Sequence, residues 1–133
     1  MAARNLHATI LGLEEETWRA LQKAGADLLP YITRDCIMQF PMGLKVTSTS
    51  DPSIEDILYS SAFVPWKTFR MSKVDVQHLG PEGAIISYFV HASRPPAGPN
   101  DVEDIDFEAL CSSAWRFEAG KWMMCFHQQT LAT

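Results

Sequence analysis

The sequence predicts an α+β fold in which three helices at the start of the chain cover one face of a curved sheet formed by the rest. Three observations predict it. Apolar residues recur at three- to four-residue steps as far as Leu58, long strand-like runs fill the chain after Trp66, and tight-turn sequences separate those runs. A chain of 133 residues holds one core of ordinary size, so a single domain spanning 1–133 must account for everything.

The first helix is read over Ile10 to Ala24. Ile10, Leu13, Leu21 and Ala24 form its apolar stripe, and Glu15, Arg19, Gln22 and Lys23 its polar side. Gly25 ends it, and Asp27-Leu28-Leu29-Pro30-Tyr31-Ile32 reads as a second, short helix capped by Asp27. Cys36 to Phe40 is apolar, too short for a helix and bounded by Pro41 and Gly43, so it is the first strand. Ser50-Asp51-Pro52-Ser53 predicts the third helix start, a capping side chain followed by proline in the first turn, with Ile54, Ile57 and Leu58 facing inward. Four strands follow, Phe69 to Leu79, Ala84 to Ser93, Phe107 to Phe117 and Lys121 to Thr130. Gly80-Pro81-Glu82-Gly83 and Ala119-Gly120 join neighbours as hairpins, and the segment from Arg94 to Asp106 is a proline-rich acidic loop read as solvated surface.

Composition excludes several functions. Eleven basic against sixteen acidic residues give a net charge of −5, which disfavours a nucleic-acid partner. No apolar run is long enough for a signal peptide or a membrane span, so the expectation is a soluble, cytoplasmic protein with no membrane partner. Cys36, Cys111 and Cys125 lack metal-ligand or redox spacing and read as free thiols. Nucleotide, P-loop, serine-hydrolase, zinc-protease and EF-hand signatures are absent from the sequence, and neither a metal nor a cofactor is expected.

A two-residue turn at Ala119-Gly120 places Glu118 opposite Lys121 and, continued without interruption, Ser113 opposite Phe126 and Ser112 opposite His127. One face then collects Phe117, Trp122, Trp115, Met124, Ser113, Phe126, Cys111 and Gln128, the composition of a pocket wall. The other carries Glu118, Lys121, Arg116, Met123, Cys125, Ser112, His127 and Gln129, suited to solvent or a subunit interface. A slip of one residue would exchange the two sets.

These residues also carry a resemblance. Trp18, Leu28-Leu29-Pro30-Tyr31, Asp35-Cys36-Ile37-Met38-Gln39-Phe40-Pro41, Pro65-Trp66, and Ser112-Ser113-Ala114-Trp115-Arg116 running through Gly120-Lys121-Trp122 to His127-Gln128-Gln129-Thr130 resemble the nuclear-transport-factor-2-like superfamily. The match is closest to its domain-of-unknown-function branch with a closing W…HQQT strand, and it covers almost the whole chain. The resemblance implies a cone-shaped curved sheet enclosing a pocket, and a homodimer. Function stays open, because that superfamily includes isomerases, dehydratases, cyclases, hydrolases and transport adaptors. Aligned with its ketosteroid isomerases, Phe40 stands in place of the aspartate base, Ser113 in place of the protonated aspartic acid and Trp18 near the oxyanion tyrosine. The acid–base groups of that mechanism are missing, so the chain is expected not to be such an isomerase.

The residue types that remain for acid–base work are His127, His91 and Asp75, since a neutral imidazole can take a proton near pH 7. Each has a plainer reading: a hydrogen-bonded histidine at a dimer face, an exposed histidine, and a half-solvated strand residue. Trp18, Tyr31, Phe40, Trp66, Tyr88, Ser113, Trp115, Phe126 and Gln128 form the candidate ligand-binding set, with Ser113 and Gln128 orienting the ligand. Their plainer reading is core packing. Glu14, one turn before Trp18, could point into the cone, but Glu15 and Glu16 beside it suggest an ordinary charged helix face. Two functions follow. The first is a protein that binds a small apolar molecule, with cofactor-independent chemistry of the dehydratase, isomerase or cyclase type (a lyase or isomerase) open to it but less supported than binding, and the second is a non-enzymatic dimerisation or adaptor module acting through the outer sheet face.

Overall fold

The computed structural model describes residues 3–96, 98–100 and 102–132; Met1, Ala2 and Thr133, and Ala97 and Asp101 of the proline-rich loop, lie outside the described residues. Helix α1 runs over Ala3–Leu21 and begins earlier than the sequence pattern suggested, because Leu6 extends the buried stripe of Ile10 one turn toward the N-terminus. The second helix is a 3-10 helix over Gly25–Tyr31 with Ala24, not Asp27, at its N-cap. Pro30 within it has no N–H and disfavours α geometry at Leu29, which keeps the segment in short 3-10 turns. A side chain at Gly25 would collide with the Leu58 carbonyl, so glycine lets this turn pack directly against helix α2 (Ile54–Tyr59). Ser53, rather than Asp51, caps α2: its hydroxyl accepts from the Asp56 amide while the Asp56 carboxylate accepts from the Ser53 amide.

Six strands form one sheet in the order β2-β1-β6-β5-β4-β3. They are β1 (Ile32–Phe40), β2 (Leu44–Val46), β3 (Thr68–His78), β4 (Gly83–Arg94), β5 (Ile105–Glu118) and β6 (Lys121–Leu131). All pairings are antiparallel except β1 with β6, which run parallel. The sheet is therefore mixed, and the fold is α+β with helices on one face. Ala119 and Gly120 both adopt left-handed φ values, 52° and 82°, and form the tight β5–β6 turn read from the sequence.

Irregularities bend the sheet around the helices. Lys73 (φ 52°) marks one in β3, and another interrupts the β5–β6 pairing between Ala114 and Trp115. The second decides which residues face inward. Trp115 pairs with Met124, as expected, but Cys125 is bulged, so Ala114 pairs with Phe126, Ser113 with His127 and Ser112 with Gln128. Beyond the bulge the faces are exchanged relative to an uninterrupted hairpin. His127 turns inward beside Ser113, while Phe126 and Gln128 turn outward.

The inner face carries Ala84, Ile86, Tyr88, Val90 and Ala92 of β4, Ala109, Cys111, Ser113 and Trp115 of β5, and Met124 of β6, all buried. Helix α1 crosses this face against β3 and β4. No described helix is long and apolar enough to cross a membrane.

Candidate functional site

The inward stripe of α1 advances by four residues, Leu6, Ile10, Glu14, Trp18, and so carries a carboxyl group into the core. Glu14 is 0% exposed, contrary to the charged-face reading; Glu15 and Glu16 fall off the stripe, and only Glu14 goes in. Its side chain meets donors from two strands. Tyr88 Oη donates to Glu14 Oε2 at 2.6 Å, Ser113 Oγ to the same oxygen at 2.7 Å, and Trp115 Nε1 to Oε1 at 2.9 Å. Trp18 Nε1 donates in turn to Tyr88 Oη at 2.8 Å. Three donors and no acceptor around the group make this the environment of a carboxylate. Among the described residues, no buried side-chain nitrogen or oxygen lacks a partner.

His127 completes the network. Its Nδ1 lies 2.7 Å from Ser113 Oγ and 3.6 Å from Glu14 Oε2, and its Nε2 lies 3.1 Å from Gln129 Nε2. Because the Ser113 hydroxyl proton goes to Glu14, the Ser113 oxygen accepts from His127 Nδ1–H. That leaves Nε2 unprotonated, accepting from the Gln129 amide. Burial pushes the His127 pKa below its ordinary 6.5, and the Glu14 carboxylate opposes this in part, so the ring is neutral near pH 7. Burial and then the Glu14 charge push the Tyr88 phenol upward, which keeps it a donor. Burial also raises the Cys36 and Cys111 thiols to about 12, leaving them without thiolate character near neutrality.

In front of His127 lies a cavity of about 590 Å³. Met38 and Phe40 of β1, Met124 of β6, Leu28 and the inward side of α2 (Ile54, Ile57, Leu58) form most of its wall, with Ala62, Phe63 and Val64 continuing it. The lining is aliphatic and aromatic, interrupted by His127 and Gln129 on one side and by Arg94 beside Trp66 on another. That size and composition suit an organic molecule with a few polar groups. Among the described residues no carboxylate lines it; Glu14 stands behind Ser113.

Of the acid–base candidates, the structure brings only His127 to the cavity. His91 lies on β4 facing Asp106 and Glu108 at 3.7 and 3.9 Å, and Asp75 is exposed on β3 opposite Ser87. Of the ligand-binding candidates, Trp18, Phe40 and Trp66 line the cavity. Tyr88, Ser113 and Trp115 form the hydrogen-bond layer behind it, and Tyr31 sits on the far side of α1 near Glu16 and Lys23. Phe126 and Gln128 lie on the outer face because of the Cys125 bulge, Gln128 bonded to Ser112 at 2.8 Å. Among the described residues no group of three or more His, Cys, Asp or Glu is placed to hold a metal ion.

Solved structures give the architecture a name. The chain superposes over its whole length on a nuclear-transport-factor-2-like protein of unknown function from Prochlorococcus, covering 95% of that chain with a TM-score of 0.73 at 19% identity. The chain has the nuclear-transport-factor-2-like fold. Other structures share this fold with different roles. A provisionally assigned scytalone dehydratase from Novosphingobium aromaticivorans matches at TM-score 0.80 and 12% identity, with 100% of this chain and 89% of that one covered. The association domain of the C. elegans calcium/calmodulin-dependent protein kinase II matches at 0.75 and 12%, with 96% of each chain covered. No family model matches the sequence, and no curated protein matches it. At these identities the nuclear-transport-factor-2-like likeness establishes architecture, and chemistry has to be argued from the site.

Proposed function

We propose that the protein binds a small, largely apolar molecule in the cavity and acts on it by proton transfer through His127, without a cofactor, in a lyase or isomerase type of reaction. The observation that carries this is the placement of His127 at the cavity wall, with Nδ1 bonded to Ser113, which is itself bonded to Glu14, and Nε2 bonded to the cavity-lining Gln129. In such a reaction the Gln129 amide gives up its hydrogen bond to Nε2, Nε2 takes a proton from the substrate in its place, and the imidazolium is stabilised by the Glu14 carboxylate. The proton then returns either to a departing hydroxide, releasing water, or to another carbon of the substrate. The neutral imidazole serves the first half of this transfer and the imidazolium it becomes serves the second.

The test fills the cavity. Ile57 is half-buried on α2 and lines the cavity, so Ile57→Trp should fill part of it from a position outside the fully buried core. After incubation with a metabolite extract, native mass spectrometry should find a small molecule retained by the wild-type protein and absent from Ile57→Trp. Bare protein from several extracts, or equal retention by the variant, would remove the cavity as the site.

A second observation bears on assembly. The outer sheet face carries an apolar row, Ile85 of β4, Ala114 of β5, Phe126 of β6 and Ile37 of β1, and beyond the polar row Ser87, Ser112, Gln128 and Gln39 a second apolar pair, Phe89 and Leu110, with Leu110 55% exposed. An apolar strip on a sheet face that the helices leave open is suited to a second copy of the chain, and we read the protein as a homodimer through it. A sedimentation mass of one chain at micromolar concentration would exclude that assembly.

A further inference from the structure

Arg94 is the only Lys, Arg, Asp or Glu among the described residues lining the cavity. It ends β4, and its guanidinium carbon lies 5.2 Å from the centre of the Trp66 ring. Trp66 is itself held by Trp18 at 5.5 Å and Phe107 at 5.2 Å between ring centres, so the guanidinium rests on a packed aromatic wall. No carboxylate among the described residues pairs with it. The acidic side chains nearby in the sheet are committed elsewhere, Asp104 to Lys67 at 2.9 Å, and Asp106 and Glu108 to the neighbourhood of His91. A half-buried guanidinium facing an apolar cavity without a counter-ion is costly unless an anion completes it.

We infer that Arg94 binds the anionic group of the ligand, and that the ligand is an amphipathic acid: a carboxylate at Arg94 with an apolar body extending toward His127. The inference rests on the cavity being the binding site proposed above. The planar guanidinium offers paired N–H donors that match a carboxylate, and the Trp66 face limits the directions in which it can turn. The sheet register sets the separation of the two polar ends. Arg94 pairs with Ile105 and His127 with Ser113, so they stand eight residues apart along β5 (105 to 113), a contour of roughly 26 Å on a curved strand. The acid group is thus a handle at one end of the ligand, apart from the carbon that His127 reaches.

The test compares decanoate with decanamide, equal in length and differing in charge, by isothermal titration with the wild-type protein and with Arg94→Met and Arg94→Lys. The wild type should bind decanoate roughly tenfold or more tightly than decanamide. Arg94→Met should bring decanoate down to the level of decanamide and leave decanamide unchanged, and Arg94→Lys should keep a preference for the acid. Equal wild-type affinities for acid and amide would overturn the anion assignment while leaving the cavity as a binding site. Equal weakening of both by Arg94→Met would overturn it as well, by making Arg94 part of the wall only. If neither compound binds, the cavity proposal fails and this inference fails with it.

Discussion

Replacing Glu14 with alanine is expected to destabilise the fold more than any other single polar substitution in the chain. The carboxylate accepts hydrogen bonds from Tyr88, Ser113 and Trp115, and all four side chains are buried. Alanine strands three donors in the core and removes the carboxylate's attraction for His127. A loss on the order of 3–5 kcal/mol is expected, the range for breaking a buried, hydrogen-bonded charge. In urea unfolding this moves the midpoint down by roughly 2 M at an ordinary slope for a small domain. Glu14→Gln keeps the shape but turns one acceptor into a donor, and should lose less. An Ala variant within about 0.5 kcal/mol of wild type would mean that the network is not the buried unit described here.

Acid should destabilise the protein through His127 before it does so through any carboxylate described here with a lowered pKa. The folded-state pKa of His127 lies below 6.5, so as pH falls through 6.5 the unfolded chain takes up this proton first. The sign follows directly: the contribution is complete above 6.5 and is lost progressively below it, at up to about 1.4 kcal/mol per pH unit for one proton. Asp35 acts in a lower window. Its hydrogen bonds to Arg116 and Thr33 hold its pKa near 2, so its contribution is present above 3.8 and lost only as pH falls toward 2. Between pH 6.5 and about 4.5 the slope of stability should therefore diminish in His127→Gln relative to wild type. Identical slopes in the two proteins would place His127 in a solvated setting.

Much of the fold is legible in the sequence because its signals are local. The runs after Trp66, the Gly80–Gly83 and Ala119-Gly120 turns and the apolar stripe of α1 each specify their own element, and the limits of the four strands after Trp66 fall within two residues of the expected ones, whereas β1 starts at Ile32, four residues before the expected Cys36, in a polar stretch that carries no strand pattern. The three-residue β2 has too little pattern to be seen, and the parallel placement of β1 beside β6 joins segments far apart in the chain. The site was legible in part. Trp18, Phe40, Trp66 and His127 reach the cavity, yet the face of His127 depended on one bulged residue, Cys125, which no residue pattern announces. Glu14 is legible from its spacing alone. Its four-residue spacing from Ile10 and Trp18 places it on the buried stripe, but the run Glu14-Glu15-Glu16 resembles a solvated face. Gln129 and Arg94 belong to the cavity only because β6 and the end of β4 curl around it.

His127 is neutral, its Nδ1–H held by Ser113 and through it by Glu14, with Nε2 unprotonated and bonded to Gln129, and nitrogen-15 chemical shifts of its imidazole report that state directly. Followed by NMR against pH in the wild-type protein and in Glu14→Gln, the ring should carry its proton on Nδ1 at pH 7. It should titrate below pH 6.5, and lower still in Glu14→Gln, where the carboxylate that favours the imidazolium is gone. A ring protonated on Nε2 at pH 7, or a titration at or above 6.5 that Glu14→Gln leaves unmoved, would contradict the account.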